Sequence, residues 1–170
     1  MALIRQYRAG TIRTLELANR MESCRLKTGV LFRAACELGS LFGGRAGLAA
    51  FGQDIGLAFQ ILDDVLDVSG PAERTGKPRG ADLLDGTVTL PLIVARSRDG
   101  QLAGLDLRSL QGPDHATQVC EQITATGALA VARTRALELV AQAKRVLPAL
   151  PVRQRRALEL VADGVVERYA

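Results

Sequence analysis

The chain has no tryptophan, two tyrosines, four phenylalanines and a single histidine among 170 residues. One histidine cannot build a His-rich zinc centre. His115 follows Gly112-Pro113-Asp114 and is read as a solvated residue of a turn. Cysteine is sparse too. Cys24, Cys36 and Cys120 are odd in number, far apart and contain no C-x-x-C pair, which points to reduced structural thiols in a cytosol rather than a disulfide framework. No apolar run approaches the length of a membrane span and no signal-peptide pattern is present, so a cytoplasmic protein is expected. Dense basic blocks are absent except for Arg153-Gln154-Arg155-Arg156. The net charge of +4 is therefore spread along the chain, and the clustered basic face that nucleic-acid binding requires is missing.

What remains is 48% hydrophobic and 24% charged, with alanine and leucine dominant. A chain of this length reads as one helix-rich domain over residues 1–170. Apolar periodicity places helices at about Met1 to Met21, Leu26 to Phe42, Leu48 to Val68, Thr89 to Ser97, His115 to Thr126, Ala128 to Leu147 and Val152 to Arg168. Pro91 falls in a tolerated first-turn position. Ser69 through Gly80 and residues 101–114 are rich in glycine, proline and charge and read as loops. No alternating pattern persists, so the expected fold is all-α, with helices long enough to pack side by side.

The third of these helices carries an unusual stripe. At about 100° per residue, Gln60, Asp63, Asp64 and Asp67 fall within an arc of roughly 100°, while Ile55, Phe59, Leu62, Val65 and Leu66 fill most of the remainder. Asp63 and Asp67 are like charges at i, i+4, which destabilises a helix by a few tenths of a kcal/mol, and the run holds no Lys or Arg to offset them. A solvated face is the ordinary reading of such a stripe. A divalent cation is the other, and hard oxygen ligands suit Mg²⁺, which also bridges to phosphates. The segment after it, Arg74-Thr75-Gly76-Lys77-Pro78-Arg79-Gly80-Ala81-Asp82, sets glycines and two further cations, Lys77 and Arg79, beside the acidic helix. That suits a diphosphate held between Mg²⁺ and cations, as does the mildly positive whole-chain charge. It is not a P-loop, because Pro78 stands where Ser or Thr is required and the segment leaves a helix rather than a strand.

In combination these segments resemble a known family. Lys27-Thr28 followed by Leu31-Phe32, then Gly39, Gly56-Leu57-Ala58-Phe59-Gln60-Ile61, Asp63-Asp64, Leu66-Asp67, Gly76-Lys77-Pro78, Asp82-Leu83, Gly86 and Thr89-Leu90-Pro91 are similar, in order and spacing, to the C-terminal half of a trans-isoprenyl diphosphate synthase, over about residues 10 to 170. The resemblance implies an isoprenoid-synthase bundle of mostly antiparallel helices. It implies chain elongation from an allylic prenyl diphosphate and isopentenyl diphosphate, with Mg²⁺ as cofactor. Asp63 would ligate the metal directly, with Asp64 and Asp67 supporting it. Lys27 and Lys77 would contact the allylic diphosphate, Thr28 and Gln60 would position that substrate, and Asp82 would serve as a further metal-water or lysine partner.

The resemblance also implies a first Asp-rich motif on a facing helix, upstream of Lys27. This chain has no aspartate before Asp54, and Thr87 stands where many members of the family have Lys. The isopentenyl-diphosphate residues of the family have no counterpart either. The expectation is therefore an incomplete bundle lacking its N-terminal helices and inactive alone. It would be homo- or hetero-oligomeric, with isopentenyl diphosphate bound if a partner chain completes it; the alternatives are a non-catalytic or regulatory subunit of a heteromeric prenyl diphosphate synthase, or a truncated fragment.

Overall fold

The computed structural model describes residues 14–44, 47–70 and 76–169. Among these residues the chain is all-α, with no strand. Its helices are α1 (Thr14–Cys24), α2 (Val30–Phe42), α3 (Ala49–Ser69), α4 (Ala81–Leu84), α5 (Leu90–Arg96), α6 (Gly100–Ala103), α7 (Pro113–Ala125), α8 (Ala128–Arg145) and α9 (Val152–Glu167). Most of the expected first helix, and residues 71–75 of the glycine-rich segment, lie outside the described residues.

Three expectations are corrected. The break expected between Met21 and Leu26 does not exist. Residues 25–29 form a π turn, and its flanking residues Cys24 and Val30 keep right-handed helical geometry, so α1 runs through it into α2. The loop at 101–114 contains α6 and a 3₁₀ turn (Leu107–Ser109). Asp99 caps α6 by accepting from the amides of Gln101 and Leu102, the role short polar side chains play at helix starts. Third, α7 begins at Pro113, so His115 lies in its first turn, half-buried, and its Nδ1 accepts from the Gln111 amide at 3.3 Å. Pro91 lies in the first turn of α5, as expected.

The chain divides into two compact units, residues 1–20 with 63–134, and residues 21–62 with 135–170. In the first, α5 is buried along its length, from Leu90 to Ala95, and Leu83, Leu102, Val119, Cys120 and Ile123 complete an aliphatic core. Gly80 starts α4 at φ +76°, and a Cβ there would lie 2.9 Å from Cys120 Sγ, so glycine is required twice over. Burial pushes the Cys120 thiol up to about 11, which keeps it from acting as a thiolate nucleophile.

In the second unit, α3 meets the helix formed by α2 and the π turn through glycines. A Cβ at Gly52 would lie 2.5 Å from the Phe32 carbonyl oxygen, and one at Gly56 would lie 2.9 Å from Gly29 Cα. Buried alanines Ala136 and Ala143 of α8 and Ala162 of α9 show the same use of small residues. This unit also exposes large side chains along α2: Leu31, Leu38, Leu41 and Phe42 are 55–87% exposed.

Candidate functional site

Three of the four polar residues of the α3 stripe are not solvated. Asp64 is fully buried, Gln60 and Asp67 are buried, and Asp63 alone is half-exposed. A buried ionised carboxylate must be paired or hydrogen-bonded, and each buried member has its own partner.

Asp64 is held by Arg20 of α1. The guanidinium donates from Nε to Oδ2 at 3.2 Å and from Nη2 to Oδ1, and the two side chains are 8% and 0% exposed. Such fork-to-fork pairing fixes both groups in orientation. The acidic run itself holds no cation, because an offsetting charge comes from another helix. A signal was present nonetheless: Leu17, Arg20 and Cys24, spaced i, i+3, i+7, form one buried row of α1, and a charged residue in such a row needs a buried partner.

Asp67 accepts from the Asp82 amide at 3.2 Å. Burial pushes its carboxyl up to about 6. The Asp82 charge adds to this, the Asp82 amide bond and Lys77 oppose it, and Asp64 adds a smaller increment. The folded chain thus binds this proton more readily than the unfolded chain, whose carboxyl titrates near the ordinary 3.8. The associated stability is full below about pH 4 and is lost as pH rises through 6. Asp67→Asn keeps an acceptor oxygen and removes the charge. It should change melting little at pH 4 and stabilise by about 1–2 kcal/mol above pH 6, after solvent screening. Chemical denaturation across that range checks it.

The segment after α3 is anchored rather than free. Gly80 N–H donates to the Asp67 carbonyl at 3.0 Å, and Arg79 Nε donates to the Val68 carbonyl at 2.5 Å, so both cap the C-terminus of α3. Arg79 is thereby engaged with backbone. Lys77 is exposed, and its charge acts on Asp67.

In the other unit, Lys27 and Thr28 lie inside the π turn, a rare conformation concentrated at functional positions. Lys27 is exposed, and Thr28 Oγ1 donates to Gln60 Oε1 at 2.7 Å. One turn earlier on α3 than the carboxylates, Phe59 packs against Phe32 and Tyr169 with ring centroids at 5.7 and 5.9 Å, and the Arg168 guanidinium lies 5.4 Å from its centroid, within cation–π range.

Tested as a metal donor set, the described residues hold no cluster of three His, Cys, Asp or Glu side chains that could cage an ion. Among the described residues there is therefore no all-protein Ca²⁺-type cage. Mg²⁺ does not require one, since it commonly binds through one or two carboxylates and completes its sphere with waters and phosphate oxygens. Asp63 and Asp67 lie at i, i+4 on one face of α3.

The family model for polyprenyl synthetase matches residues 5–126. The chain is 40% identical over 119 residues to "Heptaprenyl diphosphate synthase component 2" of Geobacillus stearothermophilus, a match covering 67% of this chain and 35% of that protein. Its fold aligns at TM-score 0.81 and 35% identity with a polyprenyl synthase of Caulobacter crescentus, solved with calcium and isoprenyl diphosphate, over 90% of this chain and 50% of that one. It aligns at 0.77 and 27% identity with a geranylgeranyl pyrophosphate synthase of Corynebacterium glutamicum, solved with isoprenyl diphosphate and magnesium, over 88% and 46%. The chain spans half or less of the length of each of these proteins. No described helix is long and apolar enough to cross a membrane. An all-α fold with the Lys-Thr turn, the acidic helix and the Gly-Lys-Pro segment, together with the family match over most of its length, places this chain in the polyprenyl synthetase family.

Proposed function

We propose that the chain is the diphosphate-binding half of a trans-prenyltransferase, which holds an allylic prenyl diphosphate through Mg²⁺ in the cytoplasm. The observation that carries this reading is the half-exposed Asp63 beside buried Asp67 on α3, with exposed Lys77 acting on the same face. Two of the solved relatives were crystallised with isoprenyl diphosphate and a divalent ion. Asp63 would ligate Mg²⁺ directly, with Asp64 and Asp67 in support and Asp82 facing its waters or Lys77. Bound Mg²⁺ supplies charge neutralisation for the departing diphosphate. Lys77 and Lys27 bind diphosphate oxygens as compact point charges on flexible stems. Thr28, fixed by its bond to Gln60, and Gln60 itself orient the allylic substrate.

A second reading bears on completeness. The Geobacillus relative is named as one component of its synthase, and α2 exposes Leu31, Leu38, Leu41 and Phe42, an apolar row of the kind that marks interfaces. We infer a subunit that is inactive alone and acquires isopentenyl diphosphate binding from a helical partner corresponding to the half of its relatives that it does not span. The purified chain, given allylic and isopentenyl diphosphates with Mg²⁺, should form no prenyl product and should self-associate at micromolar concentration by light scattering. Product from this polypeptide as a monodisperse monomer would contradict the reading.

A further inference from the structure

Helix α2 turns one face to α3 and leaves the opposite face bare. Phe32 and Cys36 stand against Gly52, and Gly29 of the π turn stands against Gly56. On the other side, Leu31, Ala34, Ala35, Leu38, Leu41 and Phe42 share an arc of about 120° at 100° per residue, and all six are exposed. The arc carries no charge. The charged residues of α2, Arg33 and Glu37, lie outside it and pair with each other at 2.9 Å. Leu31, Ala34, Leu38 and Leu41 follow the i, i+3, i+7, i+10 spacing of a helix-pairing seam, which separates this row from singly scattered surface leucines.

The order of sizes along the seam points to its occupant. It runs leucine, two alanines, leucine, then leucine and phenylalanine. Laid antiparallel against itself about a point near Cys36, each Leu38 enters the gap left by Ala34 and Ala35 of the other copy, and each Leu31 meets the Leu41–Phe42 end. Laid parallel, alanine faces alanine and a void stays between the leucine layers, which close packing disfavours. We infer that α2 is a two-fold docking face for a second copy of this chain, paired antiparallel, with the same patch used on both copies. The inference rests on the reading of this row as an interface and names its occupant in the isolated chain. A helical partner that completes the bundle must then displace the second copy. One helix of 13 residues from each copy, about 20 Å long, covers less than the ~1,200 Å² that stable interfaces bury, so the pairing is reversible in the micromolar range.

Sedimentation equilibrium of the full chain across that range tests it. The wild type should pass reversibly between monomer and dimer. Leu38→Glu places a charge in the seam twice per dimer and should weaken pairing by about a hundredfold or more. Ala34→Leu adds apolar surface, yet it should weaken pairing roughly tenfold, because it fills the gap that Leu38 of the other copy needs. Leu38→Ala should weaken pairing too, and Ala34→Leu/Leu38→Ala, which exchanges large and small, should restore it. Both positions are exposed in the single chain, so helix content and melting at dilute concentration should stay near wild type. Tighter pairing in Ala34→Leu, a double variant no better than Leu38→Ala, or growth into aggregates of no fixed size would overturn the inference. A wild-type dimer indifferent to Leu38→Glu would remove this inference alone. A wild-type monomer throughout would remove it together with the reading of the row as an interface.

Discussion

Arg20→Ala should be the most damaging single substitution among the described residues, with a loss of about 3–5 kcal/mol, the usual cost of leaving one partner of a buried ion pair behind. Asp64 is fully buried and Arg20 nearly so, so bulk solvent cannot take over the two bonds that the guanidinium makes to the carboxylate. A domain of this kind has about 5–15 kcal/mol in total, so the variant should be largely unfolded at moderate denaturant. The same physics makes a counter-intuitive companion. Arg20→Met with Asp64→Leu removes both charges, keeps similar volumes and should cost less than Arg20→Ala alone, because neither ion of the pair is left buried without the other. Urea denaturation of the three proteins checks both statements. A loss below about 1 kcal/mol in Arg20→Ala would mean that the pair is not buried in solution.

The second large effect is expected at Gly52. Helix propensity alone favours alanine over glycine by about 1 kcal/mol in a helix interior, so the naive expectation for Gly52→Ala is stabilisation. Packing reverses the sign. The added Cβ would stand 2.5 Å from the Phe32 carbonyl oxygen, 2.8 Å from Cys36 Sγ and 2.9 Å from Cys36 Cβ. The first of these is backbone, which cannot swing aside, so α3 and α2 must move apart. Overpacking of this kind costs about 1–3 kcal/mol. The Thr28–Gln60 hydrogen bond of 2.7 Å lies two turns further along α3 and should lengthen with the separation. Gly164 is the control. It lies within α9 with nothing within 4 Å of an added Cβ, and Gly164→Ala should stabilise by about 0.5–1 kcal/mol. Opposite signs for these two glycine-to-alanine changes in thermal melts would show that close helix approach, not propensity, fixes Gly52.

These two residues also show where sequence reading succeeds and where it stops. Local information was sufficient for the helices themselves: the apolar period located α3 and α8 to within a few residues, and Pro91 was placed by its missing amide hydrogen. The acidic face of α3 was legible for the same reason, since residues on one helix report their own angular positions. The partners across the fold were not. Arg20 lies 44 positions before Asp64, and no periodicity connects them. The π turn at Lys27-Thr28 looks in sequence like an interruption between two helices, because inserting one residue into a turn shifts the hydrophobic phase in the way a break does. Arg79 was grouped with Lys77 as a cation for the anion, yet the end of α3 has orphan carbonyls to satisfy, and the Val68 carbonyl takes the guanidinium first. Asp99 capped a helix too short for a periodic pattern to reveal.

On the proposed reading, the face of α3 carrying Asp63 holds a divalent cation together with a diphosphate. Thermal melting of the wild-type chain and of Asp63→Ala, each with and without Mg²⁺ and inorganic diphosphate, tests it most directly. Ligand bound to the folded chain alone raises its stability by mass action, about 2.7 kcal/mol at a hundredfold excess over Kd. The wild-type melting temperature should rise when both components are present. Asp63→Ala should lose that rise while melting slightly higher than wild type in their absence, because it relieves repulsion along the helix. An equal rise in both proteins, or none in the wild type, would contradict the claim.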